Sequence, residues 1–166
     1  MASEPKVGAL LRLLVSTKRS GKFLEIGTGT GYGTAWMLDG MDASSSLDTV
    51  DNNSAALCIA KSVFEHDRRV TFFLHDGNEF LSARSSECYD LIFADSWPGK
   101  YENLELALKL LKSSGILVFD DMLPQPNWPV GHEIKVKDLL SSIKNLEGFH
   151  TYSFDYGTGM ILLVKK

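Results

Sequence analysis

The sequence has little that would fix its fold covalently or tie it to a membrane. Its two cysteines, Cys58 and Cys88, stand far apart and belong to no metal-binding spacing. That points away from a disulfide framework or a zinc scaffold and toward a reducing compartment, so a cytoplasmic location is expected. Cationic residues are also short: 17 Lys and Arg stand against 21 Asp and Glu, for a net charge of -4. A nucleic-acid binder carries the opposite balance, and the isolated pair Arg68-Arg69 reads as a solvated turn. No apolar run reaches the length that spans a bilayer, and the first residues lack the apolar core of a signal peptide. Neither nucleic acid nor membrane is an expected partner. Internal repeats, linkers and low-complexity tracts are missing as well.

What is present has the composition of a soluble globular protein. A chain of 166 residues, 44% hydrophobic and 23% charged, is expected to form one domain over 1–166 with a sizeable core. Apolar side chains at Val7, Leu10, Leu11, Leu13, Leu14 and Val15 mark a helix over 6–17. Strands are expected at 22–26, 47–50, 70–74, 89–94 and 116–119. Helices at 32–40, 54–65, 78–83, 101–111 and 133–146 alternate with them, Gly115 ending the fourth of these before its strand. Two terminal strands, 150–154 and 160–164, follow without a helix between them, so one should run antiparallel to its neighbour. The alternation predicts an α/β fold: a doubly wound, mostly parallel sheet with a C-terminal antiparallel strand and helices on both faces. In such sheets ligands bind at the carboxyl ends of the strands.

The stretch Phe23-Leu24-Glu25-Ile26-Gly27-Thr28-Gly29-Thr30-Gly31-Tyr32-Gly33 reads as a strand, a turn with four alternating glycines, and the start of a helix. Such a turn lets a ligand approach the backbone, and the helix start offers unpaired N–H groups to electron-rich atoms. The dinucleotide fingerprint Gly-x-Gly-x-x-Gly fails in every register, because its third glycine falls on Tyr32, Thr34 or Trp36. A phosphate-binding loop fails too: Phe23 follows Gly21-Lys22 and Tyr101 follows Gly99-Lys100, where Ser or Thr is required. What remains is acidic-apolar-Gly-x-Gly-x-Gly, opening at Glu25. This resembles motif I of the class I S-adenosylmethionine (SAM) methyltransferases, whose fold is a Rossmann-like seven-stranded sheet. SAM has no phosphate to neutralise and carries an amino group and a sulfonium cation, which suits an acidic turn.

The resemblance implies a cofactor site built from Glu25, Gly27, Thr28, Gly29, Gly31, Tyr32 and Gly33. Each of the first five strands also ends on an acid: Glu25, Asp51, Asp76, Asp95 and Asp120. A carboxylate at Asp51 can accept hydrogen bonds from both ribose hydroxyls, and the family assigns it that role, with Asn52 beside it. Asp76-Gly77-Asn78 falls where the family contacts adenine. Asp95-Ser96-Trp97 after the fourth strand is similar to the catechol O-methyltransferases, where the Ser-Trp pair lines the cofactor pocket.

Asp95, Asp120 and Asp121 further resemble the divalent-metal site of the catechol and caffeoyl-CoA O-methyltransferases, with Asp121 replacing an Asn. A hard cation such as Mg²⁺ held there would stabilise a deprotonated acceptor oxygen. Three carboxylates leave a formal charge of -1, and Asp121 alternatively caps the loop and coordinates nothing. Asp95 and Lys100 are the catalytic candidates. In the resembling enzymes the basic lysine lies three residues after the metal-binding Asp; here Pro98 holds that position and Lys100 follows, as base, charge partner or solvated lysine. The Pro-rich loop 122–132 reads as a lid, with Met122, Trp128 and His132 able to cover an acceptor. His132 is read as ligand, base or helix-entry residue. The short stretch before Phe23 suggests an open acceptor site, or one completed by a partner subunit in a homodimer. The leading expectation is a SAM-dependent O-methyltransferase for a small hydroxylated acceptor, assisted by a divalent metal. The alternatives are metal-independent methylation of another atom, a non-catalytic SAM- or nucleoside-binding module, and, more distantly, a nicotinamide oxidoreductase.

Overall fold

The computed structural model describes residues 4–126 and 128–166; Asn127, inside the loop expected at 122–132, lies outside the described residues. Seven strands form one sheet in the order β3-β2-β1-β4-β5-β7-β6. The strands are β1 (Lys22–Ile26), β2 (Ser46–Asp51), β3 (Val70–Leu74), β4 (Tyr89–Ala94), β5 (Leu111–Phe119), β6 (Phe149–Phe154) and β7 (Met160–Lys165). The first five pair in parallel, whereas β7 runs antiparallel to both β5 and β6. This is the Rossmann-like methyltransferase topology, in which the strand order reverses between β1 and β4 and opens a crevice at their carboxyl ends.

Alternation along the strands sorts the side chains into two apolar layers. Leu24 and Ile26 of β1, Ile92 and Ala94 of β4, and Leu117 and Phe119 of β5 face one layer. That layer is closed by α4 (Gly77–Ser82), α5 (Leu104–Leu110) and α6 (His132–Ile143). Phe23, Leu91, Phe93 and Val118 face the other, covered by α1 (Pro5–Ser16) and α2 (Tyr32–Gly40), with Phe64 of α3 (Ser54–Phe64) packed at its margin. The strands at the centre are buried on both faces, which is why they read as continuous apolar runs. Among the described residues, no helix is long and apolar enough to cross a membrane.

Several boundaries differ from the sequence reading: α6 ends at Ile143 rather than at residue 146, and α5 and β5 start elsewhere. Helix α5 begins at Leu104 rather than at residue 101, because residues 97–102 close on themselves first. The backbone N–H groups of Lys100, Tyr101 and Glu102 all donate to the Trp97 carbonyl, at 3.2, 2.9 and 3.1 Å. Asn103 then adopts a left-handed conformation, φ 52°, and starts the helix. Gly115, expected to separate helix from strand, instead lies inside β5, which starts directly at Leu111. The β4–β5 register shifts between Tyr89 and Leu91, and Ser114 takes φ 61° there, so the break is a bulge.

Phe93 lies near the end of β4, fully buried and paired in register with Glu25. Replacing it with Ala leaves a cavity between sheet and α2, and chemical denaturation should show a loss of about 3–5 kcal/mol.

Candidate active site

The glycine turn is stitched to the end of β2 before any ligand arrives. The backbone N–H groups of Gly27 and Thr28 donate to the Val50 carbonyl, at 2.9 and 3.3 Å. Gly29, with φ 52° and open space where a Cβ would stand, donates its N–H to Asp51 Oδ2 at 2.7 Å. Asp51 Oδ1 accepts a second bond, from the Asn53 N–H at 2.8 Å. Two backbone donors thus orient the Asp51 carboxylate and leave it lone pairs for ligand hydroxyls. Across the crevice, the Asp95 N–H and the Ser96 hydroxyl both donate to the Ile26 carbonyl, at 3.0 and 3.1 Å.

Between these edges lies a cavity of about 360 Å³, within the size range of small-molecule sites. Gly27, Thr28, Gly29, Gly33, Asp51, Asp95 and Ser96 line it, joined by Thr30 and Ala56, which the sequence reading did not single out. A smaller cavity of about 80 Å³ shares Gly27, Asp51 and Ser96 with the first and is also lined by Asn52, Gly77 and Pro98. The remaining expected residues have other engagements. Gly31, left-handed at the N-cap of α2, packs on Ala60 and Phe64 of α3. Tyr32 opens α2 and meets the edge of Trp36. Asp76 caps α4 by accepting from the N–H groups of Asn78 and Glu79, at 2.8 and 3.1 Å. The Asn78 side chain bridges Glu102 and Asn103, and the exposed Trp97 ring faces Lys135 Nζ at 4.4 Å.

Beneath the turn lies a polar group that the apolar strand conceals. Glu25 is 1% exposed, and its Oε2 accepts from the hydroxyls of Thr34 and Thr49. The Thr28 hydroxyl lies 2.6 Å from that of Thr49; because Thr49 gives its proton to Glu25, Thr28 is the donor. Oε1 has no hydrogen-bond partner among the described residues. A Cβ on Gly33 would stand 2.3 Å from that oxygen, so the fourth glycine is there to admit the carboxyl. Burial raises Glu25 to about 8, against the lowering effect of both threonine bonds and with added repulsion from Asp95 and Asp51. Thr28 belongs to the motif, whereas Thr34 and Thr49 were missed because neither sits in it, although Thr49 stands opposite Glu25 in the β1–β2 register.

The expected metal set of Asp95, Asp120 and Asp121 is not gathered into one cluster. Among the described residues, no group of three or more His, Cys, Asp or Glu side chains is placed to hold a metal ion. Asp121 takes φ 60°, and its Oδ1 accepts from Trp128 Nε1 at 2.9 Å. The buried Asp120 turns Oδ1 to the Thr158 hydroxyl and the Asp121 N–H. Lys100, 4% exposed, donates from Nζ to the Asp120 main-chain carbonyl. Its pKa is lowered, chiefly by burial, against the opposing charges of Asp95, Asp121 and Asp120. The donor set does not suit a hard divalent ion, which asks for several convergent oxygens. Beyond Asp121, Trp128 packs on His132 at 4.5 Å, and the Tyr101 hydroxyl lies 3.1 Å from His132 Nε2. His132 begins α6, as its helix-entry reading anticipated, and burial lowers its pKa, partly opposed by Asp121.

Residues 24–122 match the family model of a methyltransferase domain. Curated proteins named "Putative O-methyltransferase" in Mycobacterium leprae and Mycobacterium ulcerans are 34% and 31% identical over 122 residues. Those alignments cover 70% of this chain and 54% of each relative, so the chain spans about half the length of the curated relatives it matches. An O-methyltransferase from Bacillus cereus, solved in complex with S-adenosylhomocysteine (SAH), superposes with a TM-score of 0.81 at 23% identity. It covers 98% of this chain and 82% of its own. The O-methyltransferase TomG from Streptomyces achromogenes, solved with SAM and involved in tomaymycin synthesis, gives 0.84 at 22%, covering 100% and 82%. At these identities the two structures show the fold.

The raised Glu25 pKa fixes a sign for pH dependence. The neutral carboxyl is the form that the folded chain favours, so its contribution is fully present below about 4.5 and is lost as pH rises through about 8. Thermal unfolding of the wild type should therefore fall between pH 5 and 8 by on the order of 5 °C more than that of Glu25→Gln. Parallel profiles would remove Glu25 as the source.

Proposed function

The chain belongs to the methyltransferase-domain family that its residues 24–122 match, and on that premise we propose that it transfers the methyl group of SAM to a hydroxyl of a small-molecule acceptor. The observation that carries this reading is the pair of adjoining cavities at the carboxyl ends of β1, β2 and β4, edged by the glycine turn, Asp51 and Asp95. Its lining matches the chemistry of SAM part by part. The Asp51 carboxylate, aimed by the Gly29 and Asn53 N–H groups, takes the ribose hydroxyls. The smaller cavity between Asn52, Gly77 and Pro98 takes the flat adenine base. The glycine turn and Asp95 take the cationic methionine portion, whose charge complements the acids around it.

Methyl transfer is an in-line displacement, so binding both reactants in a near-attack geometry supplies much of the rate. The acceptor oxygen forms its bond to the methyl carbon while the carbon–sulfur bond breaks, and that electron pair returns to sulfur to give SAH. The hydroxyl proton leaves to a carboxylate, a role we assign to Asp95, which lines the cofactor cavity and also acts on Lys100. The O-methyltransferase names of the mycobacterial relatives and of the B. cereus and S. achromogenes enzymes support oxygen as the acceptor atom. Metal assistance, the finer form of the sequence reading, has no support in the arrangement of Asp95, Asp120 and Asp121.

Calorimetric titration tests this. SAH should bind the wild type and NAD should not, while Asp51→Ala should weaken SAH at least tenfold through loss of a doubly hydrogen-bonded carboxylate. Binding of NAD without SAH would overturn the reading.

A further inference from the structure

A buried polar atom without a partner calls for an explanation, and Glu25 Oε1 is such an atom. It stands against Gly33, where a Cβ would come within 2.3 Å, and Gly33 itself lines the cavity of about 360 Å³. The other oxygen is joined to the same cavity by hydroxyls. Oε2 accepts from Thr49 at 2.6 Å, Thr49 lies 2.6 Å from Thr28, and Thr28 lines the cavity. The charged groups that act on the carboxyl are acids: Asp95 after β4 and Asp51 after β2 both oppose its ionisation. The first turn of α2, Tyr32-Gly33-Thr34-Ala35, brings no charge. Burial, with those two acids, outweighs the bonds from Thr34 and Thr49, so the chain by itself keeps the carboxyl protonated at neutral pH.

We propose that Glu25 is a latent counter-charge beneath the donor cavity, giving up its proton when the cationic methionine portion of SAM or SAH settles on the glycine turn. This rests on the methyltransferase reading. The carboxyl O–H bond breaks, its electron pair stays on oxygen, and the proton leaves to solvent. Thr49 and Thr28 supply the route, each hydroxyl passing one proton on as it takes one up. The ligand ammonium brings the positive charge that Asp51 and Asp95 cannot, so ionisation costs less once the ligand is bound. Negative charge therefore forms only where a cation offsets it, and the chain by itself avoids three neighbouring carboxylates. Binding of the amino-acid portion is tied to proton release, whereas binding of the adenosine portion is not.

Calorimetry on the full chain at pH 6.5 tests this, run in PIPES and in imidazole so that their different ionisation heats count the protons exchanged. At that pH an α-amino group, with an ordinary pKa of about 7.7–8.0, stays protonated and gives up nothing itself. SAH should release about half a proton or more per molecule bound, and its affinity should rise between pH 6 and 7.5 by up to about tenfold per unit. 5′-Methylthioadenosine, which lacks the amino-acid portion, should release none. Glu25→Gln should bind SAH with no proton release and a flat pH profile. If that variant does not fold, the SAH and 5′-methylthioadenosine titrations of the wild type decide. SAH binding without proton release, or equal release by both ligands, would overturn the proposal while leaving the methyltransferase reading intact. Failure of SAH to bind would sink that reading, and the proposal with it.

Discussion

The buried Glu25 carboxyl is the constraint on which the crevice depends. It sits near the end of β1 almost wholly out of water, and Oε2 takes its hydrogen bonds from the surrounding elements. Thr49 reaches it from β2 and Thr34 from α2, while Thr28 of the turn bonds Thr49. One side chain thereby locks β1, β2, the glycine turn and the first turn of α2 together. Gly33 has no Cβ because the carboxyl fills that space. The motif's spacing thus reflects two demands: a backbone open to a ligand above and room for an acid below.

From that lock the rest of the sheet edge follows. The turn, tied to Val50, presents the Gly29 N–H to Asp51, and the Ile26 carbonyl holds Asp95 and Ser96 across the crevice. The edge proposed for the methyl donor is thus tied together by backbone and side-chain hydrogen bonds. The neighbouring edge is built differently, from the loops after β4 and β5. There the Lys100 side chain ties one loop to the other through the Asp120 carbonyl, and Thr158 ties both to the β6–β7 hairpin.

Much of this was legible in the sequence, for physical reasons. Strands buried on both faces and helices with one apolar face leave periodicities that a reader can follow, so all seven strands and the antiparallel end were anticipated. The glycine turn was legible because backbone approach and positive φ demand a specific residue. The errors lie where tertiary contacts decide. Asn103 and Asp121 are non-glycine residues at positive φ, and nothing local announces that. The different partners of the adjacent acids, Thr158 for Asp120 and Trp128 for Asp121, also depend on tertiary contacts. The burial of Lys100 depends on a loop that folds back on the Trp97 carbonyl, a contact that spacing alone does not reveal.

The central claim is that a SAM-derived ligand occupies the crevice between the glycine turn and the end of β4. Backbone amide resonances followed by NMR while SAH is added test it most directly. The account expects shifts concentrated at Gly27, Gly29, Asp51, Gly77 and Ser96, with β6 and α1 undisturbed. Shifts centred on another face of the sheet, or none at saturating SAH, would contradict it.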